Sequence, residues 1–478
     1  MAGTIPEFGV SHVGAEASKV KHWERPQSVS RDDLQGNRYD IQGIDWDKLE
    51  TTREEARDAR TKLYQSTTSR VCTRASPLAQ RLPNTESYFR FRRMNTKHQA
   101  LIAHFQLRNL IAATSRNDIY YAGRSRIMRT DSLGQSTDCV MDLTKSSFDS
   151  LHSAAFDVTS MAASDDILIA GGFYGEYALI DLQSEYGTKP TQGFITHRVN
   201  GITNHVHTFN SRSSGNPMAV FSSNDKCLRI LDCHTNTFIS DFGYEEAINC
   251  SATSPNGRMR MLVGDFQETL ITDAETGRPF ERLGGHTEDA FACAWADDGI
   301  HLATGAQDSQ VVIYDARWWR APLAILASSM ACPRSLHFSP VGGGRRVLLA
   351  AEADDVVSVI DAQNFDRCQT LNFFGTVSGV SFLPDGSSFY VANSDGKFGG
   401  IMEFERAGHG ELFGHSNTGA SAAQGRWNDA GKRRAWVGAD AEGPHEWADE
   451  SVLESDARVR LTAKARKLRG LDLDDLVV

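Results

Sequence analysis

The sequence is poor in most of what would mark an enzyme, a membrane protein or a metal site. Its eight cysteines (Cys72, Cys139, Cys227, Cys233, Cys250, Cys293, Cys332 and Cys368) are scattered, and none forms a Cys-x-x-Cys pair, so zinc and dithiol motifs are missing. Most lie in strand-like runs, where a cysteine serves as a small buried hydrophobe. No apolar run approaches the roughly 18 to 20 residues that a membrane span needs. The opening residues, Met1-Ala2-Gly3-Thr4-Ile5-Pro6-Glu7, carry no basic stretch followed by an apolar one. No secretory leader is expected, and an intracellular address, cytoplasmic or nuclear, follows. Absent too are a Gly-x4-Gly-Lys-Ser/Thr phosphate loop, a Gly-x-Ser-x-Gly elbow and a His-Glu-x-x-His zinc motif. A catalytic reading therefore has no residue to start from, and no cofactor or metal is expected. Positive charge is also in deficit: 50 Lys and Arg against 61 Asp and Glu leave a net charge of -11. That balance argues against nucleic acid as the main partner.

What the chain does have is punctuation. The stretch Gly284 to Arg317 opens on Gly285-His286 and continues through an alternating run (Phe291, Cys293, Trp295) to an Asp-Asp-Gly turn at Asp297 to Gly299. Leu302-Ala303-Thr304-Gly305 starts the next strand, Asp308 sits in a tight turn, and Val311-Val312-Ile313-Tyr314-Asp315 closes the unit. Aligned to the part from 302 to 315, comparable units end at Asp181, Asp232, Asp273, Asp361 and Glu403, and the closing acids recur every 41 to 51 residues. A weaker copy, Leu110 through Tyr121, precedes them. Pro-Asn-Gly at Pro255 to Gly257 and Pro-Asp-Gly at Pro384 to Gly386 preset tight turns between strands.

The 284 to 317 unit resembles one complete WD repeat, with Tyr314-Asp315 in place of the Trp-Asp that names that family. The resemblance implies an all-β WD-repeat β-propeller. Seven copies predict seven blades, because closing the ring removes exposed edge strands. It also implies a structural tetrad, His286, Asp308, Thr304 and Tyr314, joined in one hydrogen-bonded chain that satisfies polar groups between strands. Other strings, Asp40 to Trp46, His104 to Leu110, Ala170 to Glu176 and Phe373 to Phe382, are similar to an uncharacterised WD-repeat family found in fungi and plants, over about residues 40 to 405. That likeness implies no particular activity.

Four segments are expected: a polar N-terminal tail over 1–36, a strap over 37–87, the propeller over 88–405, and a tail over 406–478 ending in a Leu/Asp-rich motif. Thr52 with Glu55 forms a capping-box pattern and predicts a charged helix from about 53 to 64. That helix is expected to dock through Ile41, Ile44, Trp46 and Leu49. Tyr88 to Arg92 alternates aromatic and basic residues, the pattern of a half-buried strand or of a single-strand nucleic-acid platform; the acidic whole favours the strand. His205 and His207 fall on one side of a strand with no third metal ligand at suitable spacing, and are expected to face solvent. Asp297-Asp298 and Asp354-Asp355 are assigned to turns.

Ile313-Tyr314-Asp315-Ala316-Arg317 resembles the box by which substrate receptors of cullin-RING ubiquitin ligases meet their adaptor. The resemblance implies that Arg317, with Asp315, contacts such a partner from the blade rim. An arginine two residues past the closing acid can equally do no more than pair with it. The sequence thus leaves three readings: a non-catalytic protein-protein interaction scaffold, a ligase receptor, and an enzyme or small-molecule sensor using the central channel.

Overall fold

The computed structural model describes residues 25–36, 38–68, 78–145, 156–164, 166–184, 189–198 and 200–408. The C-terminal Leu/Asp motif and most of the two expected tails lie outside them. Within the described residues the strands form seven antiparallel blades. Five are separate four-stranded sheets, and two are joined by the long strand Cys368–Phe382. The innermost strands are Ile111–Ala113 (blade 1), Val158–Ala163 (blade 2), Thr203–Asn210 (blade 3), Ile248–Thr253 (blade 4), Ala290–Trp295 (blade 5) and Pro333–Phe338 (blade 6). The second half of Cys368–Phe382 is the innermost strand of blade 7. Each touches the innermost strand of the next blade, and that of blade 7 touches blade 1, so the blades close into a ring. The end of the ring where these strands begin is called the upper face below.

The second strand of a blade is covered on both faces by neighbouring blades, and its sequence is mostly apolar or small, with polar residues such as His301, Glu352 and Asn393 at its ends. Ile167–Gly172, His301–Ala306, Val347–Glu352 and Ser388–Asn393 are buried at every position. Outermost strands such as Thr237–Gly243 are largely exposed. Between blades, buried side-chain amides find backbone acceptors: Asn204 Nδ2 donates to the Ile248 carbonyl at 3.0 Å, and Asn249 Nδ2 to that of Ala290 at 3.2 Å. These bonds satisfy polar groups that would otherwise be stranded away from water.

Blades 6 and 7 share one strand because Gly375 lets it bend. Its φ of 117° lies where side chains are strained, and an added Cβ would sit 2.5 Å from Asn393 Oδ1. Before the bend the strand is the outer edge of blade 6, pairing Val357 with Leu371; after it, Val380 pairs with Val391 in blade 7.

The seam is closed from the N-terminal side. Phe89–Asn95 pairs with the last strand, Gly400–Arg406, and Ser28–Ser30 adds one more strand outside it. The alternation of Tyr88 to Arg92 is resolved as strand. Phe89 and Phe91 are buried, and Arg90 and Arg92 pair with Glu405 at 2.8 Å and Glu403 at 3.0 Å. Ser28–Ser30 corrects the expected boundary of the N-terminal tail: Val29 is fully buried opposite Met94, and one apolar residue in a polar stretch carries no periodic signal.

Helix α1, Arg53–Thr68, starts at the predicted capping box, with Glu55 N donating to Thr52 Oγ1 at 3.1 Å and Thr52 N to Glu55 Oε2 at 3.0 Å. It runs one turn beyond the expected end. Ile44, Trp46 and Phe374 form the cluster beneath it. Docking is more polar than expected: Arg53 donates to the Asn372 carbonyl at 2.6 Å, Arg60 pairs with Asp355, and Tyr64 donates to Asp354 at 3.1 Å. These contacts hold the helix across the upper side of blade 6.

The weak first copy is shifted by one strand. Ile111–Ala113 is the innermost strand of blade 1 and Ile119–Gly123 the second, whereas the alignment set Leu110 against the second strand of the template.

Candidate functional site

Three groups of residues carry the chemistry of this molecule. The first is the polar chain in blade 5. His286 Nδ1 stands 3.0 Å from Asp308 Oδ2, and His286 Nε2 is 2.8 Å from Thr304 Oγ1. A carboxylate only accepts, so Nδ1 carries a proton and Nε2 meets the threonine hydroxyl. Asp308 also accepts from the backbone of Thr287 and Gln310, at 3.0 and 3.1 Å. Tyr314 adds a bond outside the expected chain. Its hydroxyl, at the far end of the ring, donates to the Gly284 carbonyl at 3.2 Å. Burial, with Thr269 and Thr304 acting the other way, pushes that phenol up to about 12.

The second group is the Asp315–Arg317 pair. Arg317 Nε and Nη2 donate to the two carboxylate oxygens of Asp315 at 2.9 and 2.7 Å, and Arg317 N adds a third bond at 2.9 Å. The Arg317 side chain is only 11% exposed. Of the two arrangements that the sequence left open, the pairing is present: the fork geometry of guanidinium fits the carboxylate two residues back and folds the side chain onto its own strand end. Burial alone would raise Asp315, but the bonds from Arg317 outweigh it and hold the carboxyl below its usual range.

The third group lines the central channel, a cavity of about 450 Å³. His205, His207 and His337 face it, with Cys250 and Cys293 beside them. The expectation that His205 and His207 face open solvent is corrected. Val206 between them is fully buried in the blade, which turns both imidazoles inward, with ring centroids 5.8 Å apart. His207 lies 2.9 Å from the Thr253 hydroxyl and 3.3 Å from that of Ser251. Burial, then the neighbouring His205 and Arg260, hold His207 well below the usual imidazole range. Burial, then His205, lowers His337 to about 4. Among the described residues no set of three or more His, Cys, Asp or Glu is placed to hold a metal.

At the upper mouth of the channel stand Arg108 and Arg334, which sequence reasoning missed: the string His104 to Leu110 that holds Arg108 implies no role for it, and no motif surrounds Arg334. Arg108 precedes the first strand of blade 1 and is 9% exposed; Arg334 begins blade 6. Burial pulls Arg108 down to about 10, with Asp354 opposing and the charge of Arg334 adding to the fall.

Asp298 serves its turn, accepting from Ile300 N at 2.8 Å and His301 N at 3.0 Å. The turn assignment of Asp354-Asp355 is corrected: both open the strand Asp354–Asp361, and their carboxylates hold distant groups, Asp354 meeting Tyr64 and Thr376 while Asp355, at a φ of 63°, accepts from Gly375 N at 2.6 Å.

Seven closed blades and the His286 unit define an all-β WD40-repeat protein. Residues 277–315 match the family described as WD domain, G-beta repeat. An uncharacterized protein of Schizosaccharomyces pombe is 24% identical over 313 residues, covering 61% of this chain and 85% of that protein. Protein HIR1 of Mycosarcoma maydis is 31% identical over 138 residues, 27% of this chain and 13% of HIR1. Among solved structures, a chain of the crystal structure of the mitotic checkpoint complex aligns with a TM-score of 0.52 and 18% identity, over 70% of this chain and 95% of that one. Among the described residues no helix is long and apolar enough to cross a membrane.

Proposed function

We propose that this protein is a non-catalytic interaction scaffold that works inside the cell and receives partner proteins on the upper face of its ring. The observation that carries this reading is the loop ahead of blade 1. It displays Leu101 and Phe105, 46% and 61% exposed, yet it is tied down at both ends. Leu101 N donates to the Ala122 carbonyl at 2.8 Å, and Leu110 N to that of Ser378 at 3.1 Å. Large apolar side chains held on an anchored loop cost little ordering entropy on binding, which is what a partner surface requires. The test is affinity purification at native expression: stable partners support the reading, and their absence together with a measured turnover removes it.

A sensor of small molecules in the channel is the second reading, supported by the inward-facing His205, His207 and His337. The ligase-receptor reading has less support, since both carboxylate oxygens of Asp315 already hold Arg317. Reaching an adaptor would require that pair to open.

A further inference from the structure

Five described arginines, Arg25, Arg93, Arg108, Arg334 and Arg406, keep a buried side-chain nitrogen without a hydrogen-bond partner among the described residues, and of these five Arg108 and Arg334 line the central channel. Arg108 Nη1 donates to the Val377 carbonyl at 3.2 Å, but its buried Nε has no hydrogen-bond partner among the described residues. Arg334 lies over the Phe291 ring at 4.3 Å and leaves a buried Nη1 in the same condition. The acid that acts on Arg108, Asp354, is already engaged by Tyr64 at 3.1 Å and Thr376 at 2.7 Å. His104 joins the cluster. Burial and then the charges of both arginines hold it low, and its buried Nδ1 is likewise unsatisfied. Unsatisfied buried donors carry a desolvation cost that an incoming acceptor would recover.

We propose that this mouth binds one acidic side chain, a carboxylate or a phosphate, of a partner segment whose apolar neighbours pack on Phe105. The proposal deepens the scaffold reading and rests on it. Charge complementarity selects the anion, because two guanidiniums with unused buried donors form a strong oxyanion receptor. The apolar flank is supplied by Phe105, whose ring lies tilted against His104 beside the cluster with centroids 4.9 Å apart, and by Phe173, 6.2 Å from His104. A net charge of -11 repels polyanions, so a single acidic side chain suits the site better than a nucleic acid or polyphosphate.

The test uses the full chain and fluorescence anisotropy with labelled pentapeptides, Gly-Phe-Xaa-Phe-Gly, where Xaa is phosphoserine, glutamate or serine. Binding by the phosphoserine or the glutamate peptide at least about tenfold tighter than by the serine peptide is expected. The two acidic arms tell phosphate from carboxylate. Arg334→Met, at a half-buried position, should remove that preference while the melting curve stays close to wild type. Arg108→Met should do the same, but its burial makes Arg334→Met the deciding variant. Equal affinity for all three peptides, or an unchanged preference in Arg334→Met, overturns the proposal. So does inorganic phosphate binding as tightly as the peptides, since the site would then hold a free anion only. If the peptides fail while the wild type and Arg334→Met purify with the same partners, this inference falls and the scaffold stands. If no partner is recovered at all and a turnover is measured, the scaffold reading itself falls.

Discussion

Phe91 and Phe404 face each other in register across the seam that closes the ring, with ring centroids 6.0 Å apart at 71°. One belongs to a strand that precedes blade 1 and the other to the last described strand, so this aromatic contact joins the strand pairing and the Arg–Glu pairs in holding the two ends of the fold together. Phe404→Ala should cost about 3 to 5 kcal/mol, the usual loss for a buried phenylalanine. Urea denaturation measures it; a loss below about 1 kcal/mol would mean the seam does not hold the ring.

In blade 5, Asp308→Ala leaves His286 Nδ1 and two backbone amides without their acceptor. A loss of about 1 to 3 kcal/mol is expected. Asp265→Ala in blade 4 removes an exposed carboxylate whose bond from Asn249 is 2.9 Å, and water can replace it, so the loss should be smaller. Thermal denaturation of both variants decides, and equal indifference would refute a structural role for the tetrad.

Arg317→Ala should lower stability by about 1 to 2 kcal/mol, because the bidentate pair is mostly buried and charge-assisted. The sign with pH follows from the lowered Asp315. Its stabilising share is fully present above the unfolded carboxyl value of about 3.9 and is lost as pH falls through the lower folded value. The variant should therefore be closest to wild type in strong acid and furthest from it at neutral pH. Matching unfolding curves at neutral pH would place Arg317 back in solvent.

Legibility followed how local the signal was. Each closing acid from Asp181 to Asp361 ends a strand, because an acid there caps the turn that follows, as Asp232 does by accepting from His234 N and Thr235 N. The capping box at Thr52 and Glu55 was readable for the same reason. The partner of Phe89–Asn95 was not, since pairing across the whole chain leaves no mark on either strand. His205 and His207 misled because a channel-facing side of an innermost strand alternates just as a solvent-facing one does. Arg108 and Arg334 come together only once blades 1 and 6 are placed on the ring.

The channel histidines predict an acid-sensitive fold. His337, lowered to about 4 against an unfolded value of about 6.5, binds its proton in the unfolded chain first. Its stabilising share is present above about 6.5 and drains away as pH falls toward 4. His337 is only partly buried, so the loss over that window is discounted to about 2 kcal/mol. His337→Gln should flatten that part of the stability profile, and an unchanged slope between pH 6.5 and 4 would contradict it.

The central claim, that the upper face receives partners, is met most directly by one paired measurement. Phe105→Asp changes an exposed side chain on that face, and Val341→Asp changes one, 52% exposed, in the connection after Pro333–Phe338 at the opposite end. Both should fold normally, since substitutions at such exposed sites cost within about 0.5 kcal/mol. Partners recovered by quantitative affinity purification should be lost from Phe105→Asp and kept by Val341→Asp. Identical partner lists from both variants and the wild type would contradict the account.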